Sequence, residues 1–159
     1  MADIFAPREV LTRHLQKLVE QGILRYVGQA REFGDVLEGR QPAVHLAAYV
    51  IFDKYSNVST QARNQKMTQQ YSVVIAIQDA RPVRSGHGYG GNSDGEIIAA
   101  VMSHVEGLAI TDGDTTTTPG YGKRFTLTDA DQAFYPPGGW AFYPLSFAID
   151  VINTRTTTP

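Results

Sequence analysis

The sequence contains no cysteine among its 159 residues. That absence removes disulfide frameworks, thiolate nucleophiles and cysteine-bearing zinc sites, and with them any sign of an oxidising compartment. Charge is scarce as well: 14 Lys and Arg stand against 16 Asp and Glu, a formal net charge of −2, and charged residues make up 19% of the chain. A soluble domain usually carries ~25%. An electrostatic nucleic-acid binder needs clustered Lys and Arg, so this balance argues against one. No apolar run approaches the ~20 residues of a membrane span. The opening Met1-Ala2-Asp3-Ile4 lacks the basic segment and apolar stretch of a signal peptide. The expectation is a soluble, cytoplasmic domain with no membrane association. A surface this poor in charge suits a protein that covers part of itself with other subunits.

What is present is enough for one domain. Hydrophobic residues reach 42%, and a chain of this length buries roughly 70% of its unfolded surface. Arg8–Gln21 reads as a helix: Pro7 and Glu9 suit its first turn, Val10, Leu11, Leu15, Leu18 and Val19 make one stripe, and Gly22 suits its end. A second helix of about four turns follows Ser93. Ser93 and Glu96 form a capping-box pair, Ile97, Ile98, Val101, Met102, Val105 and Leu108 its apolar face, and Gly107 its end. Alternation predicts strands at 43–52 (Val44, Leu46, Ala48, Val50, Phe52), 71–77 (Tyr71, Val73, Ile75, Ile77) and 143–151 (Tyr143, Leu145, Phe147, Ile149, Val151). Pro144 cannot donate to a ladder, which places that end of the last strand at an edge or a bulge. Residues 23–27, 125–127 and 133–135 are candidate short strands, and 30–37 is a weak helical pattern. The pattern predicts an α+β fold, a mainly antiparallel sheet with two principal helices packed on one face. It forms a single domain over 1–159 with its core at about 8–153. Flexible loops are expected at 53–70, 81–95 and 111–122, the first as a long polar hairpin arm, and a loose tail at 153–159.

No constellation carries recognisable catalytic chemistry. Gly86-His87-Gly88-Tyr89-Gly90-Gly91 precedes a helix, and helix N-termini attract phosphate. Its spacing matches neither a P-loop nor a dinucleotide fingerprint, and it holds no Lys. Arg81, Arg84, His87 and Tyr89 are instead candidate contacts to a partner. His14, His45, His87 and His104 are scattered without helical ligand spacing, and neither Asp112/Asp114 nor Asp129/Asp131 continues into a calcium loop. Phe134, Tyr135, Trp140, Phe142, Tyr143 and Phe147 crowd together, yet no Lys or Arg falls between Phe125 and Thr154. A stacking platform for single strands would interleave basic residues. These aromatics therefore read as core, with Trp140, Phe142 and Tyr143 as candidate subunit or tube contacts. No catalytic, cofactor-binding or metal-binding residue is assigned, and the protein is read as a non-enzyme.

Four segments together resemble the tail terminators, or tail completion proteins, of tailed bacteriophages. They are the opening helix Arg8–Gln21, the turn and strand Leu37–Leu46, and the strand Tyr71–Ala80 with Asp79-Ala80-Arg81 leading through the glycine loop to Gly95-Glu96-Ile97-Ile98. The last is the aromatic segment Gly139-Trp140-Ala141-Phe142-Tyr143-Pro144-Leu145-Ser146-Phe147. The resemblance covers about Arg8 to Asn153. It implies a structural virion protein, without an active site, that assembles in the host cytoplasm. Such proteins form a ring, typically a hexamer, that caps the tail tube, ends its polymerisation and joins it to the head connector of the neck. The implied partners are other copies of the chain, the tail tube protein, the connector proteins, and genome DNA passing through the lumen without sequence-specific binding. Asp112 and Asp114 are then candidates for the lumen or a rim. The competing readings are another neck or tube component, a stand-alone binding domain, and a small phosphate-binding enzyme using the Gly86–Gly91 loop.

Overall fold

The computed structural model describes residues 3–78, 93–109 and 124–154. Helix α1 (Ala6–Glu20) begins with proline in its first turn, and the Phe5 N–H donates to Asp3 Oδ1 at 2.9 Å just ahead of it. Val10, Leu11, Leu15 and Leu18 are its buried stripe. It ends as the sequence predicts: Gly22 takes φ 78°, and the N–H groups of Gly22 and Ile23 donate to the carbonyls of Val19 and Leu18. That paired closure satisfies two helix-end carbonyls, and glycine adopts its left-handed conformation without a Cβ penalty. Helix α3 (Asp94–Val105) carries the predicted capping box. Ser93 Oγ accepts from the Glu96 N–H at 3.2 Å while the Ser93 N–H donates to the Glu96 carboxylate at 3.1 Å. The short α2 (Ala30–Leu37) fills the region where only a weak helical pattern is legible.

Among the described residues, five strands form one sheet in the order β1-β2-β3-β5-β4. They are β1 (Tyr26–Gln29), β2 (Ala47–Gln61), β3 (Asn64–Gln78), β4 (Thr126–Thr128) and β5 (Trp140–Thr154). All pairings are antiparallel except β1 with β2, which run parallel and are joined through α2. The register of β3 with β5 is unbroken from Asn64↔Thr154 to Gln78↔Trp140. Ala48, Val50, Tyr71, Val73, Ile75, Leu145, Phe147, Ile149 and Val151 point to one face, where α1 and α3 close the main core. The fold is therefore the expected α+β sheet with its two longer helices on that face.

Three details depart from the sequence reading. The opposite face is also buried over half its length: Ala47, Tyr49, Val74, Ala76 and Phe142 pack around Phe33 of α2. Period-two alternation assigns one apolar face per strand, so a second cluster that depends on a short helix elsewhere in the chain leaves little local trace. Residues 53–70, expected as a flexible polar hairpin arm, do form a hairpin, closed by Ala62 and Arg63, but as regular ladder rather than flexible loop: they are the distal halves of β2 and β3. Two bulges in β2, at Phe52/Lys54 and Ser56/Ser59, each insert one residue and break the alternation. Asn153 and Thr154, expected in the loose tail, are paired with Gln65 and Asn64; residues 155–159 lie outside the described residues.

Pro144 is accommodated as an edge position. Phe142 exchanges backbone hydrogen bonds with Phe134 on the outer side of β5, and β4 pairs on that side with residues 146–148. Residue 144 faces the same way, in the gap between the two, so its missing N–H leaves no ladder bond unmade.

Candidate assembly surfaces

Of the contacts expected from the sequence, Arg81, Arg84, His87, Tyr89, Asp112 and Asp114 lie outside the described residues. The other three open β5, and alternation separates them. Phe142 faces α2, 3% exposed, with its ring centroid 5.7 Å from Phe33, 4.9 Å from Phe134 and 6.1 Å from Trp140. It belongs to the core rather than to a surface, and Trp140 shields it while remaining partly exposed. Tyr143 faces the helices, and its hydroxyl donates to Asp94 Oδ2 at 3.2 Å. Burial and the Asp94 carboxylate push its pKa well above the usual tyrosine value. The aromatic surface belongs to two residues just before β5: Phe134, and Tyr135, which is 70% exposed.

The described histidines, His14, His45 and His104, have structural partners. His14 and His104 bring α1 and α3 together, with ring centroids 6.3 Å apart and His104 Nε2 donating to the His14 carbonyl at 2.6 Å. His45 Nδ1 accepts from the Gln78 N–H at 2.9 Å. Among the described residues no group of three or more His, Asp or Glu is placed to hold a metal ion, and no helix is long and apolar enough to cross a membrane.

Among the described residues, three further surfaces stand out. First, the distal hairpin of β2 and β3, with the end of β5 beside it, extends beyond the covered half of the sheet. It exposes Tyr55 and Val58 and presents polar Lys54, Ser56, Lys66 and Thr68 on one face. The Thr68 hydroxyl donates to Asp150 Oδ1 at 2.7 Å across the strands, so the arm is held to β5 by side chains as well as backbone. At its base the Ser72 hydroxyl donates to Asp53 Oδ2 at 2.5 Å. Burial and the nearby Asp131 push the Asp53 carboxyl above the usual carboxylate range, against the opposing pull of Ser72 and Lys54.

Second, a groove of about 730 Å³ runs along α1 beside the end of β1, lined by Arg8, Glu9, Thr12, Arg13, Gln16 and Gln29. Its floor is cross-linked: Gln29 Nε2 donates to Thr12 Oγ1 at 3.2 Å, and that hydroxyl donates to the Arg8 carbonyl at 2.8 Å. Third, both ends of the sheet are short strands with an exposed apolar residue, Tyr26 on β1 and Leu127 on β4, each 37% exposed. The Tyr26 hydroxyl bonds Glu32 of α2, which together with burial pushes its pKa up to about 12. The sequence reading missed the groove and the two sheet ends. Their residues read as ordinary solvated positions until the strand order places them.

A family model described as "Phage tail terminator protein" matches residues 1–158. The chain belongs to this family. It is accordingly a structural protein of the virion tail, as the resemblance implies. Among solved structures, a chain of "Virion of native gene transfer agent (GTA) particle" aligns with a TM-score of 0.57 at 11% identity, covering 90% of this chain and 92% of that one. At that identity the likeness is one of fold. No curated protein matches the chain in sequence. Among the described residues, the arm, the α1 groove and the sheet ends offer contact area, shape and charge on the outside of the fold.

Proposed function

We propose that this tail terminator forms a closed ring, a hexamer, that caps the finished tail tube, stops its polymerisation and joins it to the head connector. Family membership over residues 1–158 is the observation that carries the reading. The physical requirement is a heterologous interface whose rotation returns on itself. One face of the ring must match the last tube layer, and the other must lack the tube subunit's own docking surface. The distal hairpin of β2 and β3 is the element that reaches a neighbour or the tube, because it projects from the packed half of the sheet with both bulges and exposed side chains.

Genome DNA is the cargo of the lumen rather than a ligand. A chain with formal charge −2 offers few cations to phosphates, so DNA slides without sticking. Asp112 and Asp114 are proposed for the lumen or its rim. Arg81, Arg84, His87 and Tyr89, with the partly exposed Trp140 and Tyr143, are proposed for contacts to tube or neighbour. Assembly takes place in the host cytoplasm before the particle is complete.

Light scattering and negative-stain imaging of the purified protein, alone and with tail tubes, test this reading. Rings with a central hole, and tubes capped at one end, are the expected result. Monomers in every condition, tubes included, overturn it. Long tubes formed by the protein alone identify a tube subunit instead.

A further inference from the structure

Among the described residues the charged side chains are unevenly distributed along the sheet order. Residues 3–78, which form α1, α2 and strands β1 to β3, hold nine Lys and Arg against seven acids. Residues 93–109 and 124–154, which form α3, β4 and β5, hold one Arg against six acids. The difference sharpens at the two ends of the sheet. At the β1 end, the side of α1 that carries His14 is turned toward α3, so Arg8, Thr12, Arg13 and Gln16 flank the groove next to Gln29. Two guanidinium groups there face one carboxylate, Glu9. The Arg8 guanidinium is anchored 5.3 Å from the Phe5 ring centroid.

At the β4 end the sign reverses. The Leu127 N–H points away from β5 and donates to Glu106 Oε2 at 2.5 Å, which sets a carboxylate on the open edge of the strand. Asp129 follows immediately after β4 and Asp131 two residues later, both exposed, with Asp131 also within electrostatic reach of Asp53 at the base of the arm. Among the described residues of this end the cation is Arg124, whose guanidinium nitrogen donates to the Gly107 carbonyl at 2.8 Å. The two ends also match in apolar character, through Tyr26 and Leu127.

We propose that these ends are the two halves of one subunit contact: the Arg8–Arg13 groove of one copy receives the acidic Glu106, Asp129 and Asp131 end of the next copy. The inference rests on the ring reading, which requires two different patches on opposite sides of the subunit. Guanidinium and carboxylate meet through charge-assisted, often bidentate hydrogen bonds that fix geometry as well as sign. The polarity also selects against the wrong assembly. A two-fold dimer would set Arg8 and Arg13 against their own copies, or Asp129 and Asp131 against theirs, and like charges in contact penalise both. Of the end-to-end arrangements, only head-to-tail association pairs opposite signs at every contact.

Charge reversal of each end, in the full-length chain, tests the contact. R8E/R13E makes both ends acidic and D129K/D131K makes both basic; Glu106 is left intact because it holds the β4 edge. Each variant, confirmed as folded by circular dichroism and its melting transition, loses ring formation about tenfold or more. An equimolar mixture of the two regains it, because alternating copies restore opposite signs at every contact, and the four-fold variant assembles by itself. Two folded single-end variants that form rings like the unaltered protein, or a mixture that stays monomeric, overturn this contact while leaving the ring intact. If the unaltered protein itself forms no ring, with or without tubes, the ring reading falls and the contact with it.

Discussion

Gly28 shows how much one small residue decides in this sheet. A Cβ at that position would stand 2.7 Å and 2.8 Å from two ring carbons of Tyr49. Tyr49 is fully buried and its ring centroid is 5.3 Å from that of Phe33, so the ring has nowhere to retreat. Gly28→Ala is expected to destabilise the fold by about 1–3 kcal/mol through overpacking. Urea denaturation checks this, and an unchanged midpoint contradicts the close approach. Nothing in the sequence singles out Gly28, because its neighbour across the parallel ladder is 21 residues away at Tyr49.

Asp53 gives a prediction that depends on pH. Its folded pKa is raised by burial and by Asp131, so the native state disfavours the ionised form. The stability tied to its protonation is present below the unfolded carboxylate value and lost as pH rises through the folded pKa. At neutral pH the charge is therefore a cost. Asp53→Asn keeps an acceptor for Ser72 and removes the charge. Its melting temperature should exceed the unaltered protein's at pH 7, with the gap closing on acidification into the usual carboxylate range. A gap independent of pH contradicts the assignment.

At the scale of elements, legibility follows locality. Helices α1 and α3 are readable because caps, stripe and terminating glycine lie within a few turns of one another. Ser93→Ala removes one half of the α3 capping box and should cost about 1 kcal/mol, measurable as a lowered denaturation midpoint; no change means the cap is redundant. The distal hairpin is the opposite case. Its Ser, Thr, Gln and Asn residues carry no alternation of hydrophobicity, and its strand geometry comes from ladders to distant chain. Thr68 bonds Asp150, and Asn153 Nδ2 donates to Gln65 Oε1 at 2.9 Å, over separations of 82 and 88 residues. The bulges at Phe52/Lys54 and Ser56/Ser59 further shift the faces of β2, so a period-two reading stops at Phe52. Likewise, β1 and β4 are too short to announce themselves by pattern, and they are the strands that terminate the sheet.

At the scale of the whole molecule, the scarcity of charge acquires a direction. The absence of Lys and Arg from 125 to 154 is visible in the sequence, and it points to assembly. Where the described acids and cations end up is settled by the strand order β1-β2-β3-β5-β4, which carries β1 and β4 to opposite ends of one sheet. The expected head-to-tail contact is an electrostatic one at its rim, so raising salt should weaken rings of the unaltered protein. Light scattering across an ionic-strength series measures this, and salt-indifferent rings point to an apolar contact elsewhere.

The amino-acid sequence by itself determined the two principal helices, the apolar strands, the α+β class and the family, because each rests on short-range periodicity, capping and order along the chain. The tertiary structure alone decided which strands end the sheet, that the polar arm is a ladder rather than a loop, and that Phe142 is core. It also decided that the Arg8–Arg13 groove adjoins β1 while Glu106 bonds the edge of β4, the strand at the other end of the sheet. The physical reason is that strand pairing and packing join residues far apart in sequence, and no local pattern encodes which distant segment will supply the missing hydrogen bonds and the covering side chains.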